Sequence, residues 1–140
     1  TSRYYEEMAN MAVSIASLQE GLAYVDEPRL AEAMGNFRGV CVGLLAQLDP
    51  LADEYSSAQA AQSLSELESH YKQLKAQLLQ AGAAEHLQLR LMVSQLDLYS
   101  DLRRAMEQAV KGSDCLYELA ELASRYRVQN EYPLASDTEA

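Results

Sequence analysis

Apolar residues recur at alternating intervals of three and four along most of the chain, and this spacing limits the fold more than any other feature. The first such stripe consists of Met8, Met11, Ile15, Leu18, Leu22 and Val25. Side chains three and four residues apart lie on one face of an α-helix, whereas a half-buried strand needs an apolar residue at every second position. The spacing therefore predicts an all-α protein.

Three further segments repeat this spacing. The second stripe consists of Leu30, Met34, Phe37, Cys41, Leu44 and Leu48. The third consists of Leu64, Leu67, Tyr71, Leu74 and Leu78. The fourth consists of Leu89, Met92, Leu96, Tyr99, Leu102, Met106, Ala109, Ser113, Leu116, Ala120 and Ala123. Short connections make consecutive helices pack side by side, so the sequence predicts an antiparallel up-down bundle of about four helices, the last one long.

Proline, glycine and serine mark the expected helix boundaries. Pro28 fits the first turn of the second helix, and Asp49-Pro50 is expected to end it. The third helix begins either there or at Ser63, which starts a capping-box pattern but could equally lie inside a helix. Gly82 is expected to stop this helix in a left-handed conformation.

The last helix is expected to run from about residue 85 to residue 127, which corresponds to about 60 Å at 1.5 Å per residue. It would then overhang its neighbours, and Gly112-Ser113 is the point where it could kink or divide. Residues 1–127 would form the bundle domain. Residues 128–140 contain a proline, three acidic residues and no further base, so we expect a disordered acidic tail.

Three glycines lie at four-residue intervals beside the second stripe: Gly35, Gly39 and Gly43. Together they should cost this helix up to about 3 kcal/mol relative to alanine. They therefore suggest that another helix approaches closely. Tight packing inside the bundle is the preferred interpretation, and a homodimer through this face is the alternative.

Cys41 belongs to the second stripe and Cys115 directly precedes Leu116 of the fourth, so both are placed on apolar helix faces. We therefore expect both to be buried free thiols, which suits a reducing compartment. Sequence alone leaves open whether they pair in a disulfide.

Composition narrows the functional classes. The net charge is −10, and an acidic surface repels the phosphate backbone, so a nucleic-acid partner is not expected. The chain has no Gly-x-Ser-x-Gly elbow and no glycine-rich phosphate loop. Its two histidines, His70 and His86, lack the Glu-x-x-His spacing of di-iron bundles, and Glu66 with His70 fits a surface pair. We expect neither an enzyme nor a cofactor.

Acidic residues offer only weak metal candidates. Asp97 and Asp101 are four residues apart on one helix face, where two carboxylates could share a hard cation. Asp101 can instead pair with Arg104, and Glu107 can pair with either Arg103 or Lys111. We expect no metal, with Asp97, Asp101 and Glu107 as the residual candidates.

The stretch from Asp101 to Val110 resembles the last-helix signature of PhoU-type domains, which typically reads Asp-Leu-Glu-Arg-Ile-Gly-Asp-His-Ala. Four residues match it in place: Asp101, Leu102, Arg104 and Ala109. Further on, the run Glu118-Leu119-Ala120-Glu121 resembles the turn that follows in that family. The resemblance implies a helical bundle concerned with the regulation of phosphate uptake.

This stretch also departs from the family pattern. Arg103 stands where the family has its first metal-binding acid, and Glu107 replaces the second. Met106 replaces a glycine and Gln108 replaces a histidine. A cation would be repelled by Arg103, so the resemblance does not carry metal binding over to this chain.

The resemblance implies a non-enzymatic regulatory or assembly module, cytoplasmic, belonging to an inner-membrane protein of the sodium/phosphate cotransporter type. Its partners would be the membrane part of the same parent chain and other proteins. The start at Thr1 rather than at a methionine is consistent with a fragment of a longer protein. Two alternatives remain: a ligand-sensing four-helix bundle of a membrane receptor, and an export chaperone whose third helix exposes an apolar groove.

Overall fold

A computed structural model of the chain describes residues 27–85 and 87–131 and five isolated positions near the amino terminus. These five positions, all helical, are Arg3, Glu6, Ala9, Asn10 and Val13. The first apolar stripe, from Met8 to Val25, and the carboxy-terminal residues 132–140 lie outside the described residues.

Three long helices account for most of the described chain: α1 (Pro28–Ala46), α2 (Ser57–Ala83) and α3 (Leu89–Glu131). No strand occurs among the described residues. The all-α prediction is therefore confirmed.

Helix α1 begins and ends close to the positions that the sequence indicates. Pro28 occupies its first turn, where the amide that proline lacks would have no helical partner. The helix ends at Ala46, and the N–H of Gln47 donates to the carbonyl of Leu44 at 3.0 Å. Its buried residues are Leu30, Met34, Phe37, Cys41 and Leu44, as the stripe predicts.

Helix α2 begins earlier than Ser63, which lies inside it. The hydroxyl oxygen of Ser56 accepts a hydrogen bond from the backbone N–H of Gln59 at 3.3 Å and so caps the helix. Its buried residues are Ala60, Leu67, Leu74, Leu78 and Ala81.

The prediction that Gly82 ends α2 in a left-handed conformation is wrong. Gly82 lies within the helix, and the left-handed residue is Glu85, with φ of 58°. A Cβ added at Gly82 would overlap the sulfur of Met92 at the start of α3. The glycine is therefore explained by the space that it leaves for the Met92 side chain rather than by its backbone freedom.

Contacts along the helices show that α1 and α2, and α2 and α3, run antiparallel. The hydroxyl of Ser63 in the first half of α2 donates to the side-chain oxygen of Gln47 after α1. Met92, early in α3, lies against Gly82 late in α2, whereas Arg103 further along α3 pairs with Glu68 in the middle of α2. Helices α1 and α3 both pack along α2 and contact each other less.

One core joins the three helices. Its buried apolar residues are Leu30, Met34, Phe37, Cys41, Leu44, Ala60, Leu67, Leu74, Leu78, Ala81, Leu87, Met92, Tyr99, Leu102, Met106, Ala109 and Val110. At its centre Tyr99 meets the ring of Phe37 edge to face, with 5.4 Å between ring centroids, which is a favourable arrangement for two aromatic rings.

Helix α3 is 43 residues long, which corresponds to about 65 Å, and it continues without division through Gly112-Ser113. The hydroxyl of Ser113 donates to the carbonyl of Leu48 at 3.0 Å, so this point lies level with the end of α1. No residue from 114 to 131 is buried. The predicted overhang is confirmed, and the helix extends to Glu131 rather than stopping near residue 127.

The overhang corrects the prediction for one of the cysteines. Cys41 is buried and Cys115 is exposed, and both are free thiols. Cys115 directly precedes Leu116 of the fourth stripe, but it lies about 180° around α3 from the buried Met106 and beyond the ends of α1 and α2, so neither of these helices covers it.

The glycine face of α1 is not a close-packed seam among the described residues. Gly39 and Gly43 are exposed and Gly35 is half-buried. A Cβ at any of the three would have no described atom within 4 Å beyond its own helix neighbourhood. The preferred prediction of tight packing inside the bundle is therefore not met in the part of the chain that the structure describes.

Candidate functional site

The stretch from Asp101 to Val110 lies in the middle of α3 and divides into an inner and an outer side. Leu102, Met106 and Ala109 are buried, as predicted, and Val110 is buried beside them. Arg103 and Glu107 are half-buried at the edge of this inner side. The apolar half of this stretch therefore serves the core.

Arg103 joins α3 to α2. Its guanidinium donates to the carboxylate of Glu68 at 2.8 Å, and it lies over the ring of Tyr71 with 5.2 Å to the ring centroid. The hydrogen bond that Arg103 donates to Glu68 is the main reason that the pKa of Arg103 is raised, and partial burial opposes this shift. The helical spacing indicated Glu107, on the same helix, as the partner of Arg103. The observed partner Glu68 is 35 residues away, and no spacing within one helix could have indicated it.

The remaining charges of the stretch pair along α3. Asp101 and Arg104 are 3.2 Å apart and mostly exposed, and Lys111 donates to Glu107 at 3.1 Å. Both pairs were among those that the spacing allowed. Arg103, Asp101 and Glu107 are thus each held by an opposite charge.

The candidate metal ligands do not come together. Asp97 and Asp101 are both exposed. Glu107 follows Asp101 by six residues and is paired with Lys111. In the described ranges 27–85 and 87–131 no group of three or more His, Cys, Asp or Glu side chains is placed to hold a metal ion. His86 lies outside the described residues.

Buried polar side chains near Tyr99 were not indicated by the spacing. Gln95, one turn before Tyr99, is buried although it is polar. Its side-chain oxygen and the hydroxyl of Tyr99 have no hydrogen-bond partner among the described residues. Burial raises the pKa of Tyr99, an effect that Arg38 opposes, and burial alone raises the pKa of the nearby Cys41 thiol to about 12. These groups therefore stay neutral inside the core.

Open grooves along α1 and α2 are shallow and mostly polar. One of about 360 Å³ lies between these helices and includes Asn36, His70 and Gln77. Another of about 290 Å³ lies at the end of the bundle beside Glu27 and Ala84. Neither has the enclosed, mainly apolar lining that is typical of a small-molecule pocket.

The clearest surface feature is on the overhanging part of α3. Large apolar side chains are exposed there at helical spacing, and three of them, Leu119, Leu122 and Tyr126, form what we call the terminal apolar face. Leu119 is 59% exposed and Tyr126 is 70% exposed. On α2, where the export-chaperone alternative required an apolar groove, the large exposed apolar residue is Leu79.

A short contact fixes the base of the overhang. The hydroxyl of Tyr55, in the connection between α1 and α2, donates to the carboxylate of Asp114 at 2.6 Å. The ring of Tyr55 also lies beside that of Tyr117, with 5.2 Å between centroids. Burial and the neighbouring carboxylate raise the pKa of Tyr55, so it keeps the proton with which it donates.

No helix in the described part of the chain is long and apolar enough to cross a membrane. No known family model matches the chain, and neither a curated protein nor a solved structure matches it.

Proposed function

We propose that this chain is a non-enzymatic helical assembly module that acts through the overhanging end of α3. The observation that carries the proposal is the terminal apolar face, because large apolar side chains grouped on one exposed helix face are typical of protein contact sites. Helix α3 is anchored along its first 25 residues in the core and therefore presents this face on a firm support.

A more specific form of the proposal places the module in a phosphate-transport protein, as a PhoU-like regulatory domain on the cytoplasmic side. Its support is the match at Asp101, Leu102, Arg104 and Ala109 together with the all-α architecture. The charged side chains of this stretch pair with other side chains of the same protein. Regulation in this proposal therefore proceeds by contact between proteins.

The proposal also includes a fourth helix, formed by the first apolar stripe. Helices α1 and α3 flank α2 and contact each other less, which leaves room for a helix on the side away from α2. The short link from this stripe to Pro28 suits an antiparallel neighbour of α1. Gly39 and Gly43, which have no close neighbour among the described residues, would allow that helix a close approach.

Leu119→Asp in the intact parent protein tests this function. The substitution places a charge on the terminal apolar face without touching the core, so the domain should remain folded by circular dichroism. We expect the rate of phosphate uptake to lose its regulation. Leu89→Asp is the matched control, because Leu89 is 69% exposed at the other end of the same helix. Equal uptake in both variants and the parent would contradict the proposal.

A further inference from the structure

The terminal apolar face is not an unfinished part of the bundle core. Leu119 follows the buried Met106 by 13 positions, which places it about 140° around the helix from the core side at 100° per residue. Tyr126 and Leu122 lie within about 60° of Leu119 by the same count. The overhang therefore presents a separate apolar surface, on another side of α3 from the one that packs on α2.

The connection between α1 and α2 leaves this surface open. Tyr55 contacts Asp114 and Tyr117, and both of these residues lie well away from Leu119 on the helix circumference. The contact therefore supports α3 on the side opposite to the terminal apolar face, while Leu119, Leu122 and Tyr126 stay exposed. Such a braced helix loses little conformational freedom when it binds, which favours association.

We propose that the terminal apolar face binds the same face of a second copy of this chain, with the two helices antiparallel. This inference rests on the proposed function and names its partner. Cys115, Leu119, Leu122 and Tyr126 follow each other at intervals of four, three and four, which is the spacing of a coiled-coil seam. In an antiparallel pair Leu119 packs on Leu122 of the second copy, and Cys115 lies beside Tyr126 of the second copy.

The positions of two charged residues support a second copy of this chain as the partner and an antiparallel orientation of the two helices. Glu118 and Arg125 are seven residues apart, so they lie on the same flank of the seam. In an antiparallel pair equal flanks face each other, and Glu118 then meets Arg125 of the second copy twice by symmetry. In a parallel pair this flank faces Leu116 and Ala123, and neither charge finds a partner.

Sedimentation equilibrium from micromolar to millimolar concentration is the first test. We expect the wild type to form a dimer and Leu119→Asp to raise its dissociation constant at least about tenfold. Leu89→Asp, exposed on the same helix, should dimerise like the wild type. Glu118→Arg and Arg125→Glu should each weaken the dimer, and the double variant should restore it because both reciprocal pairs are rebuilt.

A disulfide tests the direction. With Tyr126→Cys the new thiol should lie next to Cys115 of the second copy, and mild oxidation should give a covalent dimer. In the wild type the two Cys115 thiols of an antiparallel pair are separated by about 11 residues, roughly 16 Å, and cannot bridge. Cys41 is buried and does not interfere. A covalent wild-type dimer through Cys115 would overturn the antiparallel arrangement.

Other results would overturn dimerisation through the terminal apolar face in distinguishable ways. A dimer that Gly39→Gln dissociates, but Leu119→Asp does not, would place the interface on the glycine face of α1. A wild-type monomer that Leu119→Asp destabilises equally at all concentrations would mean that the chain covers this face itself. A wild-type monomer whose Leu119→Asp variant still loses regulation in the intact protein would leave the proposed function standing with a different partner.

Discussion

The two halves of α3 follow the same helical spacing of apolar residues but lie in opposite surroundings. Between Met92 and Ser113 nine residues are buried, and between residues 114 and 131 none is. Both halves are helical, so the difference does not come from local backbone preference. It comes from the neighbours, because α1 ends at Ala46 and the connection to α2 passes α3 near Asp114.

This difference shows that helix formation and burial are separate properties, although the same periodic pattern is used to predict both. The spacing shows that a segment is a helix with an apolar face. In the first half of α3 this face packs in the bundle core, whereas the overhang has no neighbouring helix among the described residues and exposes a separate apolar side. If the comparison is right, the core and the overhang should differ first in the reactivity of their thiols and then in the effect of substitutions on stability.

The largest contrast is expected between the two thiols. Cys115 is exposed on the overhang, whereas Cys41 is 2% exposed and burial raises its pKa to about 12. In the native protein a thiol reagent at neutral pH should modify Cys115 at least about 10³-fold faster than Cys41, because Cys41 reacts only after local or global opening. The time course of labelling in native buffer and in urea measures this ratio.

The variant Cys115→Ala provides the control. Cys41 is its remaining thiol, and labelling of this thiol should require local or global unfolding. Rapid labelling of Cys41 in that variant would show that the core opens easily, and the contrast between the halves would fail.

Truncation of one apolar side chain in each half should give the next largest contrast. Met106 is completely buried, so Met106→Ala should lower the free energy of unfolding by about 2–5 kcal/mol. Leu119→Ala in the overhang should change it by less than about 0.5 kcal/mol in the monomer. Urea denaturation at low protein concentration measures both, and equal losses would mean that Leu119 is covered.

The core positions of α3 were largely predictable and the end of the core was not. Tyr99, Leu102, Met106 and Ala109 follow from spacing alone because they lie beside helices of sufficient length. Leu116 follows the same pattern but is 44% exposed, and nothing local in the sequence says where the neighbouring helices stop. Cys115, next to it, lies about 180° around α3 from Met106 and is exposed as well. Its burial was therefore predicted wrongly.

Gln95 was missed for a different reason. A stripe is recognised from apolar residues, so a polar side chain such as Gln95 is not counted in it. Its burial depends on which helices pack around that turn of α3. The partner of Arg103 was missed for the same kind of reason, because the register of α2 against α3 brings Glu68 to it. Spacing within one helix predicted the pairs of Asp101 with Arg104 and of Glu107 with Lys111, and it contains no information about contacts between helices.

Alkaline pH should weaken the bundle core through Cys41. The unfolded thiol of Cys41 ionises near pH 9, and the folded one only near pH 12. Between these values the unfolded chain binds fewer protons, so the stability that is complete below pH 9 falls as the pH rises. From pH 8 to pH 10.5 the loss attributable to Cys41 should be about 2 kcal/mol.

The buried Tyr99, whose pKa is also raised, adds to the loss in the same direction. Urea titrations of the wild type, Cys41→Ala and Cys115→Ala at several pH values check this. Cys41→Ala should show the shallower dependence, and Cys115→Ala should follow the wild type. A dependence that Cys41→Ala leaves unchanged would contradict the assignment.

The ion pair between α2 and α3 should have a moderate effect. Arg103→Ala should lower stability by about 1–2 kcal/mol, because it removes both the hydrogen bond that Arg103 donates to Glu68 and the contact with Tyr71. This exceeds the value expected for a simple surface residue. In a double-mutant cycle with Glu68→Ala the coupling energy should be about 0.5–1 kcal/mol. A coupling near zero would mean that the two side chains do not interact in solution.

The smallest effects are expected for the ion pairs along the outer side of α3. Lys111 and Glu107 are 3.1 Å apart, and Arg104 and Asp101 are 3.2 Å apart. Arg104, Asp101 and Lys111 are mostly exposed, and Glu107 is half-buried. Solvent and salt screen such charges, so Lys111→Ala or Arg104→Ala should change stability by only about 0.2–0.5 kcal/mol, and less in 0.5 M salt. Thermal denaturation at low and high salt, with Arg103→Ala alongside, measures the difference. A loss above about 1 kcal/mol that persists in high salt would exceed what exposed pairs contribute. It would show that the outer side of α3 is covered near residues 104–111, and the boundary between the packed and the overhanging half would then have to be redrawn.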